Sequence, residues 1–186
     1  MIRLFIACPL PQEAEEELGR VIQMLKGGDG AVRWVASRNI HLTVRFLGDT
    51  DERLVGDISQ KIDTVAGQFR AVETTINQLG AFPNLRRPRI IWAGLKSGID
   101  TLAQIAAATE LAVQDLGFAA ESKGFKAHLT LGRVRERSNP SRLADFMSQY
   151  RLTPIPVRFD RIVLFKSTLT PTGPIYDRLH EAQLNQ

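Results

Sequence analysis

The chain is predicted to be an α+β protein: a bilobal, duplicated αβ fold with two largely antiparallel sheets facing a central cleft. Three observations predict it. A strand-helix-strand-helix-strand order runs through the first half and again through the second. The tripeptide His-Leu-Thr occurs once in each half, as His41-Leu42-Thr43 and His128-Leu129-Thr130, with the histidines 87 positions apart. Helical stretches alternate with strands, yet hairpin-like strand pairs also occur, which favours antiparallel pairing. A chain of 186 residues with 44% hydrophobic content suffices for one core shared by two small lobes, so a single domain over 1–186 is expected.

Each element has its own signature. Leu4 to Ala7 reads as a buried strand stopped by Pro9 and Pro11. Ala14, Leu18, Val21, Ile22 and Leu25 then recur at helical spacing, with Gly27-Gly28 closing the helix. Val32 to Val35 and Ile40 to Leu47 are strands, and Asp49-Thr50-Asp51 caps a helix whose apolar positions are Leu54, Val55, Ile58, Ile62 and Val65. Val72 to Leu79 is a strand leading into the loop Phe82-Pro83-Asn84. The segment from Phe82 to Arg89, irregular because of Pro83 and Pro88, is the expected junction between lobes. In the second half, Arg89 to Leu95 resembles the opening strand. Leu102, Ile105, Ala112, Val113 and Leu116 mark a helix ending at Gly117, and Phe125 to Val134 carries the second His-Leu-Thr. A short helix from Ser138-Asn139-Pro140-Ser141 through Met147 precedes strands at Val157 to Phe165 and Ile175 to Leu179.

Composition narrows the class of function. The net charge is +4 and arginine supplies 18 of the 24 basic residues. A planar, permanently charged, bidentate side chain suits an anionic ligand such as RNA, although the same balance also describes a solvated basic surface. Cys8 is the only cysteine, which excludes an intrachain disulfide and a multi-cysteine zinc site and fits a reducing cytoplasm. The apolar stretch before Pro9 is too short, and too soon followed by acidic residues, for a signal peptide. No apolar run reaches the roughly 18 residues of a membrane span. A monomer in the cytoplasm, away from membranes, is expected.

The repeated tripeptide carries the chemistry. Alternate side chains on a strand face opposite ways, so His and Thr of each copy share one side and Leu42 or Leu129 points to the other. Two such strands side by side present two imidazoles and two hydroxyls. Phosphodiester hydrolysis needs a base for the attacking water and an acid for the departing alkoxide, on opposite sides of phosphorus. Imidazoles with pKa values near 6.5 fill both roles at neutral pH. Thr43 and Thr130 would donate to the non-bridging oxygens.

The segments Trp34…His41 to Asp49 and His128 to Arg133 resemble the paired motifs of the 2H phosphoesterase superfamily. Within it the chain is most similar to the RNA 2′,3′-cyclic phosphodiesterases, historically called 2′-5′ RNA ligases. Arg3 to Ala7 and Leu164 to Ser167 with Gly173 to Tyr176 extend the likeness over nearly the whole chain. The resemblance implies a cleft between two lobes and metal-independent opening of a 2′,3′-cyclic phosphate to a 2′-phosphate. It also implies His41 as proton donor, His128 as proton acceptor, and Arg133 as a phosphate-facing arginine. Its alternatives are ligation of RNA ends, a small cyclic nucleotide as substrate, or a non-catalytic module that binds RNA or a nucleotide.

The remaining candidates have competing readings. Arg133 lies at an odd offset from His128, which an unbroken strand would send to the opposite face; Gly132 allows a bulge that corrects it. Phe46 holds the equivalent position in the first copy, where it either stacks a base or packs in the core. Arg45 has the parity to reach the cleft, or is a solvated charge. Trp34 and Trp92 read as core or lobe-interface residues, Lys126 and Lys166 as solvated lysines or guides for an RNA backbone, and His180 as a surface residue. Gly27-Gly28-Asp29-Gly30 lacks the following Lys-Ser/Thr of a phosphate-binding loop and reads as a turn. Carboxylates do not cluster with the histidines, so neither a metal nor another cofactor is expected.

Overall fold

A computed structural model describes residues 1–26, 31–136, 138 and 141–186. The Gly27-Gly28 helix stop, the turn over 27–30 and the Asn139-Pro140 start of the short helix lie outside the described residues. The elements run β1 (Ile2–Pro9), α1 (Gln12–Leu25), β2 (Val32–Trp34), β3 (His41–Thr50), α2 (Val55–Ala66), β4 (Val72–Phe82), β5 (Ile90–Leu95), α3 (Ile99–Gln114), β6 (Leu129–Val134), α4 (Ser141–Gln149), β7 (Ile155–Phe159), β8 (Arg161–Thr170) and β9 (Gly173–Gln183). Single 3₁₀ turns at Ser37–Asn39 and Glu52–Leu54 precede β3 and α2.

The periodicities were decided by burial. Ala14, Leu18, Val21, Ile22 and Leu25 are the buried face of α1, and Ile58, Ile62 and Val65 that of α2. The cap predicted ahead of α2 is Asp51, whose carboxylate accepts from the Arg53 N–H at 3.0 Å. On α3 the buried set is Leu102, Ile105, Ala106, Thr109 and Val113, while Ala112 and Leu116 are only partly covered. Cys8 is fully buried in the core, and burial pushes its thiol up to about 12.

Among the described residues the strands form one sheet of nine, in the order β7-β4-β5-β6-β3-β1-β8-β9 with β2 on β6, and every ladder is antiparallel. Half-sheets β7-β4-β5-β6 and β3-β1-β8-β9 meet at a single residue pair, Leu42 with Leu129. The sheet must curl. Strands β7 and β8 stand six places apart, about 29 Å at about 4.8 Å per strand, yet Asp160 alone connects them, a link that spans at most roughly 7 Å. The outcome is a curled half-barrel with the helices on its convex side.

Two expectations are corrected here. The loop from Phe82 to Arg89 does not separate the lobes: β4 and β5 pair from Ile76–Leu95 to Phe82–Ile90, a hairpin inside one half-sheet. The segment from Val157 to Phe165 is not one strand. It breaks at Asp160, where the chain leaves β4 as the partner of β7 and joins β1 as the partner of β8. The first half of the chain thus lends β2 and β4, and the second half β8 and β9, to the other half-sheet, and hydrophobicity along the chain does not record that exchange.

Leu42 and Leu129 are both wholly buried. Leu42→Ala should therefore cost about 2–5 kcal/mol of stability, measurable as a lower denaturant midpoint with an unchanged slope; a loss under about 1 kcal/mol would show the seam to be slack.

Candidate active site

The strands that meet at Leu42 and Leu129 build the site. With these leucines pointing into the core, the flanking residues of each strand turn to the concave side, and antiparallel register sets His41 opposite Thr130 and Thr43 opposite His128. The pair is a local twofold centre, and each side of it offers one imidazole and one hydroxyl.

Both imidazoles are oriented in the same way. His41 Nδ1 lies 2.8 Å from the Asn39 carbonyl oxygen, and His128 Nδ1 lies 2.7 Å from that of Lys126. A carbonyl only accepts, so each Nδ1 carries a hydrogen and each Nε2 is left to meet a substrate. Asn39 is itself fixed, because its Nδ2 donates to the Pro174 carbonyl at 2.9 Å.

A bulge in each strand places the next residue. Ile6 pairs with Arg45 and Ala7 with Thr43, so Val44 is the extra residue on β3. Ile91 pairs with Gly132 and Trp92 with Thr130, so Leu131 is the extra residue on β6. Two successive residues on each strand face the core, and the parity after them is reversed. Phe46 and Arg133 therefore emerge on the cleft side, both exposed. The Phe46 ring lies 6.1 Å from that of Phe5 in the cleft, which answers its two readings in favour of the open face. The charge of Arg133 reaches the Tyr176 phenol across the cleft. The expected position of Arg45 is corrected by the same bulge. Its guanidinium is buried and pairs with Glu110 and, at 3.3 Å, Glu121, and donates to the Ala119 carbonyl.

Residues without an assigned role in the sequence line the rest of the cleft. Phe5, Phe165 and Tyr176 form an aromatic cluster on the concave face, separate from the main core. The His41 ring lies 4.9 Å from that of Phe5 and 5.5 Å, edge-on, from that of Tyr176. Behind His128, the Phe82 ring stands edge-on at 5.1 Å, carries Lys126 Nζ at 5.3 Å and meets Trp92 at 5.2 Å. Trp92 thus belongs to the cleft face, flat against Gly80 and Gly94; a Cβ at Gly80 would fall 2.2 Å from the indole. Trp34 packs against the core as expected. Lys166 pairs with Leu4, hence on the convex side, and His180 bonds Asp63 at 2.7 Å. The signal that could have found Phe5, Phe165 and Tyr176 is a second apolar parity on strands already buried on their other face.

Burial has an electrostatic consequence at His41. Desolvation lowers its pKa to about 4, the Asn39 carbonyl opposes this, and the charge of nearby His128 lowers it further. His41 is therefore neutral at pH 7. The unfolded chain takes up that proton near pH 6.5 and the folded chain only near 4, so stability falls as pH drops through this window, by about 1–3 kcal/mol. Proton NMR should show one imidazole titrating near pH 4; a His41 titration near 6.5 would refute the desolvation argument. Among the described residues no three His, Cys, Asp or Glu side chains are grouped to hold a metal ion, and no helix is long and apolar enough to cross a membrane.

Residues 8–92 and 94–176 match the family model described as LigT like phosphoesterase. The chain belongs to the LigT-like phosphoesterase family. Relatives in it named RNA 2′,3′-cyclic phosphodiesterase include one from Thermotoga maritima, 33% identical over 98% of this chain and 95% of its own length. Another, from Archaeoglobus fulgidus, is 35% identical over 96% and 98% respectively. Two solved structures share the LigT-like fold. The protein TT0787 of Thermus thermophilus superposes with a TM-score of 0.80 at 24% identity, covering 98% of both chains. Escherichia coli LigT complexed with 3′-AMP gives 0.76 at 23% identity over 100% of this chain and 98% of the other.

Proposed function

We propose that this LigT-like phosphoesterase is an RNA 2′,3′-cyclic phosphodiesterase, a hydrolase that opens the terminal cyclic ester to a 2′-phosphate with two histidines and no metal ion. The observation that carries the reading is the matched pair of imidazoles, each tied through Nδ1 to a carbonyl and each facing the other strand's threonine across the Leu42–Leu129 centre.

The chemistry follows from that arrangement. A water on the His128 side loses its proton to Nε2 and attacks phosphorus in line with the bond to the 3′ oxygen. The new P–O bond forms as the P–O3′ bond breaks, and Nε2–H of His41 gives the 3′ oxygen its proton. Products are a 2′-phosphomonoester and a free 3′ hydroxyl, and exchange with solvent returns the proton from His128 to His41. Thr43 and Thr130 donate to the non-bridging oxygens, and Arg133 adds its charge where negative charge gathers. Phe46, beside Phe5, offers a face to a base. His41 must be protonated to act, and the anionic phosphate, arriving beside a desolvated imidazole, raises its pKa. With acid, base and anion donors all supplied by side chains, no Lewis acid is required. The reading places a monomer in the cytoplasm.

The lowered pKa of His41 favours one second reading, with the roles exchanged: a neutral His41 is ready to accept a proton. The same phosphorus is attacked, from the opposite side.

The test is to incubate the protein, with a chelator present, with a short RNA ending in a 2′,3′-cyclic phosphate and to follow the phosphorus NMR spectrum. A 2′-phosphate is expected. An unchanged cyclic ester from folded protein would defeat the proposal and favour a binding role, and a rate abolished by the chelator would defeat its metal-free form.

A further inference from the structure

Beyond His41, away from the twofold centre, a cavity of about 170 Å³ opens between the start of α1, the turn ahead of β3 and the first residues of β9. His41 forms one wall, with Phe165 and Tyr176 beside it, and Glu15, Arg38 and Arg178 supply charge. The acid–base chemistry uses none of these charged groups. Arg178 is engaged, with Nη1 2.9 Å from a Glu181 carboxylate oxygen. Glu15 and Arg38 are different: both border the cavity, and neither side chain makes a hydrogen bond or ion pair among the described residues. Glu15 is partly buried, and desolvation raises its pKa while the charge of Arg178 lowers it. A carboxylate in such a place loses water contacts without gaining a protein donor, a cost that a ligand carrying donors offsets.

We infer that this cavity receives the 3′-terminal base of the RNA and that Glu15 and Arg38 select guanine there. The inference rests on the proposed phosphodiesterase reading, in which His41 serves the ribose 3′ oxygen and the sugar and base lie on its side of the phosphorus. The cavity shares the His41 wall, which puts it beside the nucleotide whose 3′ oxygen His41 serves. Guanine alone among the four bases presents two adjacent donors, N1–H and the N2 amino group, to a carboxylate and two adjacent acceptors, O6 and N7, to a guanidinium. Uracil presents a single donor between two acceptors and leaves the carboxylate half satisfied. The rings of Phe165 and Tyr176 provide apolar surface beside the base. Glu15 and Arg38 are specificity residues in this account, without part in the proton transfers.

The experiment measures kcat/KM for four RNAs of one length ending in G, A, C or U with a 2′,3′-cyclic phosphate, using the wild-type protein and Glu15→Gln. Wild type should prefer the G end over the U end by roughly 5- to 150-fold, the range of one bidentate base contact. Glu15→Gln should compress that ratio to within about threefold, because an amide offers one acceptor and one donor where guanine needs two acceptors. Equal rates on all four ends in wild type would overturn the inference and leave the phosphodiesterase reading intact. A variant that loses rate on all four ends alike, keeping the ratio, would also overturn it, by showing Glu15 to be structural. Turnover of none of the four ends would overturn both.

Discussion

His128→Ala and His41→Ala should each lower kcat/KM for cyclic-phosphate RNA by about 10²–10⁴-fold, the usual worth of one general acid or base. Each imidazole is held by one hydrogen bond to a carbonyl two residues upstream, and no other imidazole stands near to replace it, since His180 is bonded to Asp63 on α2. The two losses should not multiply in the double variant, because acid and base serve one concerted displacement. Binding of a non-hydrolysable nucleotide phosphate should fall much less than the rate, because Thr43, Thr130 and Arg133 remain. His41 also packs against Phe5 and Tyr176, so thermal unfolding of His41→Ala must be compared with wild type and with His41→Gln. A folded variant of either histidine that keeps its rate within about tenfold of wild type would remove that histidine from the mechanism.

Sulfur in place of the bridging 3′ oxygen of the cyclic ester should restore most of the rate lost in the variant lacking the acid. A thiolate leaves without a proton, since a thiol's pKa near 8.5 is far below that of an alcohol. With His41 as donor, His41→Ala should recover to within about tenfold of wild type on the sulfur substrate, whereas His128→Ala should stay about 10²–10⁴-fold down on both. Recovery of His128→Ala instead would establish the exchanged assignment that the low pKa of His41 favours. The pH–rate profile gives an independent check. The ascending limb of kcat/KM reports the free protein and should lie below that of kcat if the bound phosphate raises the pKa of His41.

Much of this was legible one residue at a time. The period of α1 and α2 is written in Ala14 to Leu25 and in Ile58 to Val65, because each helix buries a single stripe. The opposed directions of His41 and Leu42, and of His128 and Leu129, follow from strand parity. The bulge needed to bring Arg133 to the cleft was foreshadowed by Gly132, but the same device on β3 was not, since Val44 and Arg45 carry no glycine to mark it. Strand parity alone therefore points Arg45 to the cleft, whereas the bulge turns it into the core. Tyr176 and Phe165 were visible only as parts of a closing motif. Their contact with His41 depends on β8 pairing with β1, more than a hundred residues away in sequence.

Residue identity and strand parity are enough to place two imidazoles and two hydroxyls on like strands of a basic chain. Local rules suffice for this, because alternation along a strand and the identity of a side chain need no knowledge of distant partners. Which strands meet, the loan of strands from each half of the chain to the other half-sheet, and the crossing of the two motifs at Leu42 and Leu129 arise from long-range pairing. The tertiary structure also decides the environment that lowers the pKa of His41 and leaves Glu15 and Arg38 facing a cavity. Those properties are set by desolvation and by long-range packing, quantities that arise between segments and leave no local pattern in either one.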